Sequence, residues 1–218
     1  MTTTQGSRAQ VLDRIRSATA SVAADAANLH ELHAAIPRGY IRKGELSASA
    51  KIALLIERLR EYDADVIECR VDELPATVSA MLSASGRHTF AAPSGLPAAW
   101  MPSGFEWKID GGLTHEQIEV LDGVVTGASC AVADSGTIVL HHTPSEGRRV
   151  LTLLPDWHLC ILHDYEVVET LPEYFARVQH PPALVTWISG PSATADIEMT
   201  RIKGVHGPRH LNVIVVHH

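Results

Sequence analysis

The sequence predicts an α/β fold: a largely parallel sheet flanked by helices, preceded by a helical N-terminal segment. Three observations predict it. From Ser47 onward, helical and strand-like patterns alternate, which favours parallel strands joined by crossover helices. Residues 158–163 are apolar almost throughout, as a strand covered on both faces is, and 211–216 read as another apolar strand. The chain has 218 residues, 45% of them hydrophobic and 20% charged, enough for one sizeable core.

The elements follow in order. Ser7-Arg-Ala-Gln10 has capping-box spacing. Val11, Ile15, Ala18 and Val22 then share one helical face, so a helix is expected to about Ala27. Residues 28–46 contain Pro37, Gly39 and Gly44 with basic Arg38, Arg42 and Lys43, and are expected to be an irregular connector. Residues 1–46 thus form an N-terminal segment and residues 47–218 the α/β domain. Ile52, Leu55, Ile56 and Leu59 mark an amphipathic helix. Residues 65–70 are a strand, 72–85 a helix and 88–92 a strand. Residues 93–105, with three prolines and two glycines, form a loop around a short helical turn. A short strand at 107–110 precedes a helix at 114–120 capped by Thr114. Strand 124–126 meets Gly127, and a short helix is expected at 128–133. Strand 137–141, a polar loop at 143–149 and strand 150–154 lead to 158–163, expected to be central. A helix at 171–178 is followed by a buried strand at 184–188. One sheet is expected to hold 65–70, 124–126, 158–163 and 184–188.

Composition excludes several function classes. The net charge of −7 argues against a nucleic-acid binder, which carries a basic face. No apolar run is long enough to span a bilayer. No basic region followed by an apolar run opens the sequence, so no signal peptide is expected and the expected compartment is the cytoplasm. Cys69, Cys130 and Cys160 are odd in number and lack C-x-x-C spacing. They are expected to be buried thiols, and no iron–sulfur cluster or flavin is expected in this chain. No Walker sequence and no G-x-G-x-x-G occurs. His141, His142, His158 and His163, with Asp156 and Asp164, are the metal-ligand candidates. Their spacing matches no metal motif, and no metal site is assigned.

The chemistry concentrates near the C-terminus. A strand runs into Ser189-Gly190-Pro191-Ser192, where Gly190 permits close backbone approach. Ser192 is expected to cap a helix over 193–198, aiming free N–H groups at an anion; Asp196 and Glu198 suit the start of such a helix. Gly204-Val205-His206-Gly207-Pro208 is a second tight turn. His206 is either a general base or anion contact, or a residue that fixes the turn. Arg148-Arg149 and the Arg38, Arg42 and Lys43 cluster are either anion contacts or solvated surface charge. Asp134-Ser135-Gly136 turns the chain into a strand, with Asp134 either reactive or bonded to its own backbone. The candidate site comprises Asp134 and His206 as reactive groups, with Thr126, Gly127, Ser135, Gly136, Gly190, Pro191, Ser192 and Asp196 around the ligand, at strand carboxyl ends.

Gly190-Pro-Ser-Ala-Thr-Ala-Asp-Ile-Glu198, followed by Gly204-Val-His-Gly-Pro208, resembles the signature of the LUD-domain family in its lactate-utilization C branch. Two further blocks are similar: Val125-Thr-Gly-Ala-Ser-Cys-Ala-Val-Ala-Asp-Ser-Gly-Thr-Ile-Val-Leu140 and Leu153-Leu-Pro-Asp-Trp-His-Leu159. The resemblance implies a fold like the ribose-phosphate isomerase, glucosamine-phosphate deaminase and CoA-transferase group. It also implies a role as accessory subunit in oxidising L-lactate, with redox centres on iron–sulfur partner subunits and a small anionic ligand on this chain. In CoA-transferases of this broad fold a glutamate in a comparable turn attacks the thioester; Asp134 is one carbon shorter. The alternatives are a stand-alone acyl- or CoA-transferase, a sugar-phosphate isomerase, or a non-catalytic scaffold.

Overall fold

The computed structural model describes residues 7–23, 26–180, 182–195, 201–203 and 206–218. The chain divides into two compact units, Met1–Tyr40 and Ile41–His218.

The first unit holds helices α1 (Ser7–Ala23) and α2 (Ala26–Ala35). The irregular connector expected from residue 28 therefore begins only after Ala35. The segment Ala-Asn-Leu-His-Glu-Leu-His-Ala-Ala carries enough Ala, Leu and Glu to favour a helix, and Pro37 disfavours helical backbone at the residue before it.

In the second unit Ser47 caps helix α3 (Ala48–Glu61), its hydroxyl accepting from the Ala50 N–H at 3.2 Å. Ile52, Leu55, Ile56 and Leu59 are all buried on one face, each contributing on the order of 1.5–3 kcal/mol. The chain then forms β1 (Asp65–Arg70), α4 (Leu74–Ala84), β2 (Thr89–Pro93), β3 (Glu106–Asp110), α5 (His115–Glu119) and β4 (Gly123–Thr126). Thr114 caps α5 and exchanges hydrogen bonds with Gln117. Next come β5 (Cys130–Val132), β6 (Thr137–Leu140), β7 (Trp157–His163), β8 (Val167–Val168), α6 (Leu171–Arg177), β9 (Thr186–Ile188), β10 (Ala193–Ala195), β11 (Arg201–Lys203) and β12 (His210–His217).

Six strands form a wholly parallel sheet in the order β1-β12-β7-β4-β2-β3. The interior strands show why their sequences are apolar throughout. Leu211, Val213 and Val215 of β12 pack with α3 on one face, while Ile214 and Val216 pack with α4 on the other. Cys160 and Leu162 of β7 likewise join the first face, and Leu159 and Ile161 the second.

A second sheet, β8-β5-β6-β9, packs on the α3 side, where Ala131 and Ile138 meet the core. The β5–β6 and β6–β9 pairs are antiparallel. Several expectations are corrected here. Residues 130–132 are a strand rather than part of a helix. Residues 186–188 are a strand, but in this sheet and only partly covered: Thr186 is buried and Trp187 exposed. Residues 149–152 form a 3-10 turn rather than a strand, with the Leu151 N–H donating to the Arg148 carbonyl at 3.0 Å. The helix expected at 193–198 is also absent from its described part. Ala193–Ala195 is β10, antiparallel to β11, with Ala193 opposite Lys203 and Ala195 opposite Arg201. Among the described residues no helix is long and apolar enough to cross a membrane.

Candidate functional site

The two C-terminal turns meet. The Ser192 N–H donates to the Pro208 carbonyl at 2.8 Å, and the His206 N–H donates to Ser192 Oγ at 3.0 Å. Ser192 therefore clasps the second turn instead of capping a helix. Its amide is already bonded, so the helix-terminus reason for anion binding does not apply. Gly190 has φ +80°, and a Cβ there would lie 2.5 Å from Tyr62 Cβ and 2.8 Å from the Tyr62 carbonyl oxygen. The close approach that requires glycine is thus to the end of α3.

Beside this clasp lies a cavity of about 300 Å³. Its walls include Ser189, Gly190, Pro191, Ser192, His206 and Arg149, and its lining also includes His158 and Leu211. His158 and Leu211 are the second residues of β7 and β12, so the cavity sits at the amino ends of these strands and the carboxyl end of β9, between the two sheets. The cavity thus lies away from the carboxyl ends of the parallel strands, where the site was expected. Larger grooves, of about 820 Å³ beside Arg60 and Arg87 and about 800 Å³ beside α3, have carboxylates in their linings. Among the described residues of these three spaces, the smaller cavity combines a buried histidine with Gly190 and Gly207 of the two turns, which makes it the candidate.

His158 is 1% exposed, and its Nε2 lies 2.8 Å from Thr126 Oγ1, which is itself fully buried. Burial pushes the imidazole pKa down to about 4, so His158 is neutral near pH 7. No Asp or Glu occurs among the described lining residues. Arg148 is held by Asp110, with Nε and an Nη donating at 2.7 and 2.6 Å. Its neighbour Arg149 is exposed and has no ion pair among the described residues. The cavity thus has a neutral polar floor and a cationic rim, a combination suited to a small anion.

The remaining expected site residues are placed differently. Thr126 stands behind His158 rather than on the wall. Gly127 donates its N–H to the Ser145 carbonyl at 3.0 Å, away from the cavity. Asp134, Ser135 and Gly136 form the β5–β6 turn, where Gly136 has φ +59° and abuts Arg58. Asp134 is exposed and does not line the cavity. A hydroxyl chain links this turn to the wall: Ser135 Oγ, Thr137 Oγ1 and Ser189 Oγ are separated by 2.8 and 2.7 Å. Asp196 and Glu198, with Gly204 and Val205, lie outside the described residues.

The other three histidines considered as metal ligands are tied into the fold. His141 Nε2 lies 2.8 Å from the Tyr174 hydroxyl, and both ring nitrogens of His142 are bonded, to the Gly147 carbonyl and Thr186 Oγ1. His163 stacks on Tyr165 and approaches His218. Glu146, fully buried, accepts from Ser129 Oγ, the His141 N–H and the Thr143 N–H. It pins the loop that carries Arg149. The three cysteines are buried and free, and burial raises the Cys130 thiol to about 11.

The model of the LUD domain matches residues 18–216. The chain belongs to the LUD-domain family. A protein named lactate utilization protein C from Deinococcus radiodurans is 38% identical over 165 residues, covering 73% of this chain and 76% of that protein. A protein of the same name from an Exiguobacterium species is 30% identical over 166 residues, covering 70% and 72%. The crystal structure of a DUF162 family protein from Deinococcus radiodurans superposes with a TM-score of 0.66 at 31% identity, over 79% of this chain and 99% of that one. The LUD model spans both glycine turns, the His158 strand and the Thr126 strand, so every described wall of the cavity belongs to the family domain.

The main feature that sequence reasoning missed is the Thr126–His158 pair. A signal existed: His158 is the polar residue inside Trp-His-Leu-Cys-Ile-Leu, and a histidine within a fully covered strand needs a hydrogen-bond partner.

Proposed function

We propose that this LUD-domain protein acts in lactate utilization as an accessory subunit of an L-lactate-oxidising system in the cytoplasm, and that its cavity binds a small anionic ligand. The names of its relatives support the lactate-utilization role. The observation that carries the ligand reading is the cavity itself, where Arg149, Ser192, His206 and neutral His158 line one space without a carboxylate among the described residues. Arg149 offers a planar fork of donors matched to a carboxylate. His206 and the Ser192 hydroxyl add polar contacts at the wall, and His158 supplies an uncharged polar contact at the floor.

Redox centres are assigned to iron–sulfur partner subunits, because the three thiols here are separately buried and held protonated. A volume of about 300 Å³ is at the small end of ligand cavities and suits a short-chain acid better than a CoA ester. Calorimetric titration of the full chain with L-lactate, phosphate and CoA tests this. L-Lactate is expected to bind, and Arg149→Ala to weaken binding about tenfold, as loss of a charge-assisted bond does. Equal affinity in parent and variant, or binding of CoA alone, would reject the assignment.

A further inference from the structure

The floor of the cavity carries a hydrogen-bonding device whose polarity can reverse. The His158 ring sits on the second residue of a strand covered on both faces, so its position is fixed by the sheet. Its Nε2 faces Thr126 Oγ1 at 2.8 Å. Among the described residues its other nitrogen, Nδ1, has no partner. No sealed side-chain nitrogen or oxygen of the described residues is left unbonded, so Nδ1 keeps a small exposure, and the space that the ring lines is this cavity.

A neutral imidazole carries one N–H and one lone pair, and the partner of one nitrogen decides what the other presents. A threonine hydroxyl can serve either way. When Thr126 donates to Nε2, Nδ1 carries the proton and donates into the cavity. When Nε2–H donates to Thr126, Nδ1 presents a lone pair. Rotation of one buried hydroxyl, with exchange of tautomer through the ligand or a water in the cavity, reverses the floor without adding charge.

We propose that the cavity accepts a 2-hydroxy acid and the matching 2-oxo acid in turn: Nδ1 of His158 accepts from the hydroxyl of the first and donates to the carbonyl of the second, while Arg149 takes the carboxylate of either. This rests on the small-anion reading above and deepens it. An acid without oxygen at the second carbon leaves Nδ1 without its ligand bond. Such an acid binds more weakly, by the several-fold that one hydrogen bond is worth.

Calorimetry of the full chain with L-lactate, pyruvate and propionate tests this, alongside Arg149→Ala, Thr126→Ser, Thr126→Val and His158→Gln. L-Lactate and pyruvate are expected to bind within about threefold of each other, and propionate about tenfold more weakly than both. Thr126→Ser keeps this pattern. Thr126→Val removes the reversible partner and separates the two affinities several-fold. Long-range ¹H–¹⁵N spectra of histidine-labelled protein, with the His158 signal assigned by its loss in His158→Gln, read the tautomer directly. Nδ1 is expected to be unprotonated with L-lactate and protonated with pyruvate. The same tautomer in both complexes overturns the proposal. So does propionate binding as tightly as L-lactate while Arg149→Ala weakens all three acids, a result that leaves the small-anion reading standing. Absence of binding by every acid removes both.

Discussion

Acid should destabilise this protein through His158, and a His158→Gln variant isolates the effect. Glutamine reaches about as far as Nε2, can bond Thr126 Oγ1 and does not titrate. In the folded protein burial holds His158 at about 4, whereas an unfolded histidine titrates near its ordinary value of about 6.5. As pH falls between these values the unfolded chain takes up a proton that the folded chain refuses. Stability from the neutral buried ring is therefore present above about pH 6.5 and is lost as pH falls toward about 4. Each pKa unit is worth about 1.4 kcal/mol, so the loss between about pH 7 and about pH 4.5 is about 2 kcal/mol. Glu166 works in the opposite sense, since burial raises it to about 7; its contribution is present at low pH and is lost as pH rises from about 4.5 through 7. That term is common to parent and variant and cancels in their difference. Urea unfolding at a series of pH values gives the difference directly. The parent's stability relative to His158→Gln should drop by about 2 kcal/mol on acidification. A difference that stays constant would show that His158 is not held neutral by the fold, and would undermine the picture of a neutral cavity floor.

Three further outcomes follow from the packing. Gly190→Ala places a Cβ 2.5 Å from Tyr62 Cβ at φ +80° and should cost about 2–3 kcal/mol in denaturant unfolding; a neutral substitution would contradict the packing of this turn on α3. Glu146→Ala strands three donors and should cost about 3 kcal/mol, with Glu146→Gln losing less; equal losses would show that the acceptor oxygens do not matter. A chain of residues 41–218 should melt cooperatively close to the full chain, because among the described residues every core cluster begins at Ile52 or later; failure to fold by circular dichroism would show that the N-terminal unit is part of the domain.

Much of the fold was legible where the periodic signal was long. Four apolar residues of α3 were readable from spacing alone and are buried on one face. The nearly continuous apolar run of β7 marked an interior strand for the same reason that it is buried on both faces. The second sheet was hidden because its strands are two to four residues long, too short for a period of two to be told from one helical turn. Ala193–Ala195 was misread because Ser192 followed by small and acidic residues matches a helix start, while the competing partner, Arg201–Lys203, is visible only in three dimensions. The convergence of the Gly190 and His206 turns could be anticipated from their residue types. The position of the cavity could not, since it depends on β9 leaving the parallel sheet and facing the amino ends of β7 and β12.

A crystal of the full chain soaked with L-lactate tests the central claim most directly. The account predicts one lactate between the Ser189–Ser192 wall and His206, its carboxylate on Arg149 and its hydroxyl on Nδ1 of His158. Lactate bound in another groove, with this cavity holding only water at saturating concentration, would contradict it.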